Sequence, residues 1–336
     1  MRTAIFGVGA LGTVLGAYLN RSGLEVDLIH HNPATVKALN EKGARVVGTV
    51  GFVQKVKALT PEEMTGKYDI IILLTKTREN TSIAGFLKDY LADDGVIVTL
   101  QNGLPEQGIA SVVGEDKVLG CTVAWGATLK EPGVSELTSS PDSLTFSLGT
   151  AFPDRPNPRL KDVKEILERM GPVTVEENFL GARWSKLLIN SAFSGMSAVL
   201  GCTFGEAAGP MRSRKIVLAL IKECIDVCKA GGIRIEPVQG KDAAKLLDYS
   251  NGLKKAVSLF ILPIAIRKHA LLRASMLQDL EKGKKTEVDG INGAISAYGR
   301  KVGCPTPMND KVVSIVHAIE DGKLKPEFGN LELFYS

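Results

Sequence analysis

Apolar residues in the first half of this chain fall in short solid runs separated by stretches of helical spacing. In the second half they keep helical spacing alone. Thr3–Phe6 reads as an apolar strand, Thr13–Arg21 as a helix, Glu25–Ile29 as a strand and Thr35–Lys42 as a helix ended by Gly43. Asp69–Thr75 and Gly95–Leu100 are continuous apolar runs of strand length, as strands covered on both faces require, and Ser82–Leu91 between them has helical spacing. Such alternation predicts a parallel, doubly wound sheet that binds ligands at the carboxyl ends of its strands. Beyond Gly120 three strands without helices, Cys121–Trp125, Ser135–Thr138 and Ser143–Gly149, are expected to extend the same sheet. A helix over Arg159–Met170 and a last strand over Val173–Val175 follow.

From about Leu180 the strand signal stops. Helices are expected over Ala182–Leu200, Arg214–Ala230, Lys241–Ser250, Leu253–Leu272, Ser275–Glu281, Thr286–Lys301 and Met308–Asp321. The boundary should fall near Glu177–Gly181, giving an α/β domain over 1–178 and an all-α domain over 179–336. A length of 336 residues suits two domains.

Composition narrows the classes. Net charge is +4 with both signs mixed, so neither a nucleic acid nor a membrane surface is an expected partner. No apolar run reaches the ~18 residues of a membrane helix, and the chain opens directly on a strand, leaving no signal peptide. Five cysteines without CxxC spacing read as reduced thiols in a cytoplasmic protein, and no metal-ligand cluster is expected.

Between the first strand and helix lies a glycine loop, Gly7, Val8, Gly9, Ala10, Leu11 and Gly12. In that context the spacing predicts a dinucleotide site and a Rossmann-type domain. Gly7 serves the turn, Gly9 the approach of a pyrophosphate and Gly12 the packing of helix on strand. An acid ending the second strand would bind the ribose 2′-hydroxyl of NAD, but here stand His30 and His31. That leans toward NADP, held in part by His31, with NAD as the other possibility. Lys76 and Asn102 follow two later strands, on the ligand edge of the sheet.

Two further patterns carry chemistry. Lys186, Asn190 and Ser194 recur every four residues on a helix otherwise apolar on nearly all sides, where a buried lysine needs a partner. Ser275 with Gln278, and Thr286 with Asp289, both fit capping boxes, with Glu287 in the first turn of the second helix. Taken singly these are a helix face and two helix starts. Together they suit reduction of a 2-keto acid. Ser275 at a helix N-terminus would hold the carboxylate, Lys186 would protonate the ketone oxygen, Glu287 would keep that lysine charged, and Asn190 would orient lysine or ketone. A cofactor-binding regulator without catalysis would need no such acid–base pair.

The blocks GVGALG at 7–12, Lys76, LQNG at 100–103, WSKLLIN at 184–190, SMLQDL at 275–280, TEVDGING at 286–293 and PTPMN at 305–309 resemble the ketopantoate reductase (2-dehydropantoate 2-reductase) family, across nearly the whole chain. The resemblance implies a Rossmann domain followed by a helical domain of the 6-phosphogluconate-dehydrogenase-like kind, with dimerisation through the latter. It implies NADPH-dependent reduction of 2-dehydropantoate to (R)-pantoate, on the route to pantothenate and coenzyme A. Carried over by position, Lys186 is the proton donor, Glu287 a catalytic and cofactor-ribose contact, and Asn190 and Ser275 substrate contacts. Asn102 touches cofactor and substrate, and Ala127 is a cofactor contact. The chain departs from the family motif at Ser194-Gly195, where an asparagine and a proline are usual, and at Phe204 and Leu272, where some members have asparagines. Ser194 then becomes the substrate contact at that position. The apolar pair implies, as the other reading, a more apolar 2-keto acid, as in the related D-2-hydroxyacid dehydrogenases.

Overall fold

The computed structural model describes residues 1–155, 157–237 and 242–335. They form two compact units, Met1–Phe179 and Leu180–Ser336.

Strands of the first unit are β1 (Thr3–Phe6), β2 (Val26–Ile29), β3 (Ala44–Gly48), β4 (Phe52–Gln54), β5 (Lys57–Leu59), β6 (Tyr68–Leu73), β7 (Leu91–Thr99), β8 (Val118–Val123), β9 (Ala127–Glu131), β10 (Val134–Leu137), β11 (Phe146–Gly149) and β12 (Val173–Val175). Its helices are α1 (Ala10–Arg21), α2 (Pro33–Lys42), α3 (Asn80–Lys88), α4 (Glu106–Val113) and α5 (Leu160–Leu167). Eight strands make one sheet in the order β12-β11-β8-β7-β6-β1-β2-β5. Strand β1 pairs in parallel with both β2 and β6, so the winding reverses there and opens a crevice at the carboxyl ends of β1 and β6.

Solid apolar runs are explained by this sheet. Ile70 and Ile72 enter the core on one face, Ile71 and Leu73 the core on the other, and all four are fully buried. Each such side chain contributes about 1.5–3 kcal/mol by burial, so a polar residue at any of them would forfeit more than a surface change can return.

The strand expected at Ser135–Thr138 does not extend this sheet. Val134–Leu137 belongs to a second, four-stranded sheet, β4-β3-β10-β9, parallel to β3 and antiparallel to β9. Gly133, at φ +77°, makes the turn from β9 to β10 that only glycine adopts readily. Strands β3, β4 and β5 and helix α4 had no counterpart in the periodicity: β4 and β5 are three residues each, too short to show one.

The second unit is helical: α6 (Phe179–Ile189), a π-helical segment (Asn190–Ser194), α7 (Gly195–Leu200), α8 (Phe204–Ala208), α9 (Met211–Ala230), α10 (Ala243–Leu247), α11 (Gly252–Ala265), α12 (Ser275–Glu281), α13 (Val288–Val302) and α14 (Pro307–Glu320). The Rossmann-type sheet followed by a helical unit is thus the architecture of this chain. Helix α10 is shorter than expected, and Lys241 lies outside the described residues. Helix α11 stops at Ala265, and a 3-10 turn over Arg267–His269 takes its place. All five cysteines are free thiols, four of them buried. No helix among the described residues is long and apolar enough to cross a membrane.

Candidate active site

Helix α1 starts directly from the glycine loop, with Gly9 as its N-cap. Gly7 holds φ +100°, and a Cβ there would lie 2.6 Å from the Thr75 nitrogen; at Gly12 it would lie 2.7 Å from the Gly7 carbonyl oxygen. At Gly9 nothing comes within 4 Å. Two glycines therefore let backbone segments touch, and the third keeps open space before the N–H groups of a helix end, where an anion is favoured. Val8 is fully buried beneath the loop, and Ala10 and Leu11 are half-buried in the first turn of α1.

A cavity of about 350 Å³ opens there, lined by Gly7, Gly9, His30, His31, Leu74, Thr75, Lys76, Arg78 and Glu79. His31 and Lys76, both expected at the cofactor, line it. His30 stacks on His31 with ring centres 4.6 Å apart, and burial, then the neighbouring His31, pulls the His30 pKa down. Arg78 is the residue that sequence reading missed. The 3-10 turn Thr77–Glu79 after β6 brings it to the cavity that His31 lines from the end of β2. Its signal was a second cation just past Lys76.

Gln101, beside Asn102, ties the strand ends together. Its amide donates to the Thr75 carbonyl at 2.7 Å and to Asn80 Oδ1 at 2.8 Å, while its own oxygen accepts from Thr99 Oγ1 at 2.9 Å. The buried network locks the segment bearing Lys76 to the one bearing Asn102. Asn102 is half-buried, and Gly103 follows at φ +79°. Ala127 begins β9 in the second sheet, and neither it nor Asn102 is among the residues lining the 350 Å³ cavity.

In the helical unit Lys186 and Asn190 are half-buried and Ser194 is buried. Lys186 and Asn190 are one α-turn apart, but Asn190–Ser194 is π-helical, so the row expected to run straight through Ser194 is broken by a wider turn. The neighbouring helices hold this segment. Asn292 of α13, fully buried, donates to the Ser191 carbonyl at 3.0 Å and to Asn309 Oδ1 at 2.9 Å. A Cβ on Gly195 would lie 3.0 Å from Asn292 Oδ1. Glycine at 195, in place of the proline usual in the motif, leaves room for that amide. Asn309 is fixed in turn by Glu223, whose carboxylate accepts from the Met308 and Asn309 backbone N–H groups at the start of α14 and from the Asn309 side-chain amide. Burial raises the Glu223 pKa against those three bonds, which lower it.

Neither capping box forms as expected. Ala274 is the N-cap of α12 and Ser275, exposed, its first helical residue. Ala274 N donates to Ser197 Oγ at 3.3 Å, which joins the start of α12 to α7. At α13 the N-cap is Glu287, half-buried, whose side chain does not cap the helix, and Thr286 Oγ1 accepts from the Val288 N–H at 3.2 Å. Thr286 instead gives both its N–H and its hydroxyl to Glu320 Oε1, each at 2.7 Å, and Asp289 bonds His317. Burial pulls the His317 pKa down, but bonds to Glu320 and Asp289 outweigh it and leave it raised. Glu287 and Lys186 thus stand on helices stitched to one another through Asn292 and the π segment. Phe204 and Leu272, far apart in sequence, meet: Phe204 N donates to the Leu272 carbonyl at 2.9 Å, and the Phe204 ring lies 5.6 Å from that of Phe193.

Comparison with known proteins agrees across both units. Residues 3–150 match the family model described as ketopantoate reductase PanE/ApbA, and residues 178–320 the model of its C-terminal part. A 2-dehydropantoate 2-reductase of Pyrococcus horikoshii is 31% identical over 323 residues, covering 95% of this chain and 98% of that protein. One from Streptococcus pyogenes serotype M6 is 27% identical over 327 residues, with the same coverage of 95% and 98%. Among solved structures, D-mandelate dehydrogenase with NADH and anilino(oxo)acetate superposes with a TM-score of 0.80 at 25% identity, over 96% of this chain and 99% of that one. A PanE/ApbA family ketopantoate reductase from Ralstonia eutropha JMP134 gives the same TM-score of 0.80, identity of 25% and coverage of 96% and 99%.

Proposed function

We propose, because the chain belongs to the ketopantoate reductase family and is an NAD(P)-dependent oxidoreductase, that it reduces 2-dehydropantoate to (R)-pantoate with NADPH, for pantothenate and coenzyme A synthesis. The N-terminal unit binds the cofactor and the helical unit carries the acid–base chemistry. The observation that carries this reading is the Asn292 link, which sets the helix opened by Glu287 against the turn that follows Lys186.

The glycine loop, with open space at Gly9, fits a dinucleotide pyrophosphate, and the bound nicotinamide supplies the hydride. Lys186 Nζ gives the proton to the keto oxygen as the carbon is reduced, so that C=O becomes CH–OH. Glu287 favours the charged lysine, Asn190 bonds the keto oxygen, Ser275 holds the carboxylate, and Ser194 is a further substrate contact. Asn102 contacts cofactor and substrate, and Glu287 and Ala127 are further cofactor contacts.

The NADPH preference rests on His31, Lys76 and Arg78 lining one cavity, against the single acid Glu79. Arg78→Ala should raise KM for NADPH about 10-fold or more, the worth of one charge-assisted bond, and KM for NADH less than twofold. Equal effects on the two cofactors would remove Arg78 from the 2′-phosphate.

Substrate choice has a second reading, favoured by apolar Phe204, packed against Phe193 where some family members have an asparagine: a bulkier, more apolar 2-keto acid. A panel decides between them. With NADPH, ketopantoate should give the highest kcat/KM. A higher value on aromatic or branched 2-keto acids selects the second reading, and no turnover on any 2-keto acid sinks both.

A further inference from the structure

The residues on either side of Glu287 are tied down, and both ties run to one histidine. Ahead of it, buried Thr286 gives its N–H and its hydroxyl to Glu320 Oε1, each at 2.7 Å. Two residues after it, Asp289 lies 2.9 Å from His317 Nε2. The other ring nitrogen, Nδ1, lies 3.0 Å from Glu320 Oε2, the second oxygen of the carboxylate that holds Thr286. The Glu320 side chain is 3% exposed, so its place is set by these partners and by Lys285, 3.4 Å from Oε2. Two carboxylates therefore face the two nitrogens of one imidazole. An ionised carboxylate only accepts, and a neutral imidazole has a single N–H. Both contacts are hydrogen bonds only while the ring is protonated. Once it loses a proton, one nitrogen lone pair is turned toward a carboxylate oxygen.

We infer that His317, as an imidazolium, is a positioning residue for Glu287: it clamps the start of α13 from both sides and so places the carboxylate that favours the charged Lys186. This role rests on the part proposed for Glu287 in the reduction. Asp289 faces the ring from α13 and Glu320 from its own helix. Lys285, ahead of α13, meets Glu320 and also Asp321, which pairs with Lys323. Of the other elements packed on α14, α7 has no ionisable residue, and α9 directs Glu223 at the start of α14. The 3-10 turn Phe328–Phe334 pairs its Glu332 with Arg212. Because the bonds to Glu320 and Asp289 outweigh burial and leave the ring's pKa raised, the clamp is complete below the ordinary histidine range. It is lost as pH rises through the raised folded value.

Proton NMR of the four histidines, from about pH 5.5 to 9, tests the clamp on the whole protein. The His317 signal, assigned by its loss in His317→Gln, should titrate above the ~6.5 of an exposed histidine, and Asp289→Asn should bring its midpoint down. Turnover tests the consequence. Relative to His317→Lys, which stays charged, the parent's kcat should fall about two- to fivefold as the ring deprotonates, the range of one partly exposed charge pair. His317→Gln should lie at the lower level throughout. A midpoint at or below that of an exposed histidine overturns the inference, as does a His317→Gln protein with the parent's pH profile. The titration needs no substrate, so the two readings fail separately. An intact clamp beside a Lys186→Met variant of full activity would overturn the proposed reduction and this role with it, whereas a failed clamp leaves that reduction standing.

Discussion

Replacing Lys186 by methionine is expected to lower kcat with the preferred 2-keto acid by about 10²–10⁴-fold, a loss of roughly 2.7–5.5 kcal/mol of transition-state stabilisation. Methionine keeps an unbranched apolar stem in the half-buried position and removes only the proton donor, which separates chemistry from packing. KM for NADPH should move less than twofold, because the cavity by the glycine loop is lined by residues of the other unit. Lys186→Ala leaves space where the stem was, so added methylamine should restore part of its rate in proportion to the protonated amine. A purely structural lysine would show no such rescue. A kcat within a factor of about two of the parent would overturn the assignment of the proton donor.

Asn292 offers a graded check on the same chemistry without touching substrate. Its amide joins α13 to the π segment, so its loss should lower kcat through the placing of Asn190 and Glu287, and should reach the cofactor only through the contact at Glu287.

What could be read from the chain alone follows from the range of the forces involved. Burial on both faces of β6 demands an unbroken apolar run, and that run is visible in any window of the sequence. Ser275–Glu281 was legible for a similar reason, since Gly283, at φ +65°, stops the helix locally. Other features depend on partners distant in the chain. The second sheet pairs Val134 with Arg45, and no local pattern announces such a partner. Thr286 gives its hydroxyl to Glu320 and accepts from the Val288 N–H rather than pairing with Asp289, so the expected capping box did not form. The π segment was invisible because the residue bonded to its Ser191 carbonyl, Asn292, lies on another helix. Arg78 was missed because its relation to His31 exists only once β2 and the turn after β6 end at one cavity. The Phe204–Leu272 contact is a gain of the same kind. Two departures from a motif, noted separately, turn out to be joined by one backbone hydrogen bond.

The three loop glycines should respond differently to alanine, and the pattern separates fold from cofactor. Gly7→Ala must hold a side chain at φ +100° with its Cβ 2.6 Å from a backbone nitrogen, and Gly12→Ala sets its Cβ 2.7 Å from the Gly7 carbonyl oxygen. Neither obstacle is a flexible side chain, so the loop or α1 must shift. Overpacking of this kind costs about 1–3 kcal/mol, and the left-handed conformation at Gly7 adds about 1–2 kcal/mol. For a unit of this size the melting temperature should fall by roughly 5–15 °C at Gly7 and by less at Gly12. Gly9→Ala meets nothing within 4 Å, so its melting temperature should stay within about 2 °C of the parent in the absence of cofactor. Its methyl group would instead occupy the space through which the pyrophosphate reaches the N–H groups of α1, and KM for NADPH should rise about 10-fold or more. A Gly9→Ala protein with unchanged stability and unchanged KM would mean that the phosphates do not lie on this loop. The dinucleotide assignment would then fail at its first step, whatever Lys186 does.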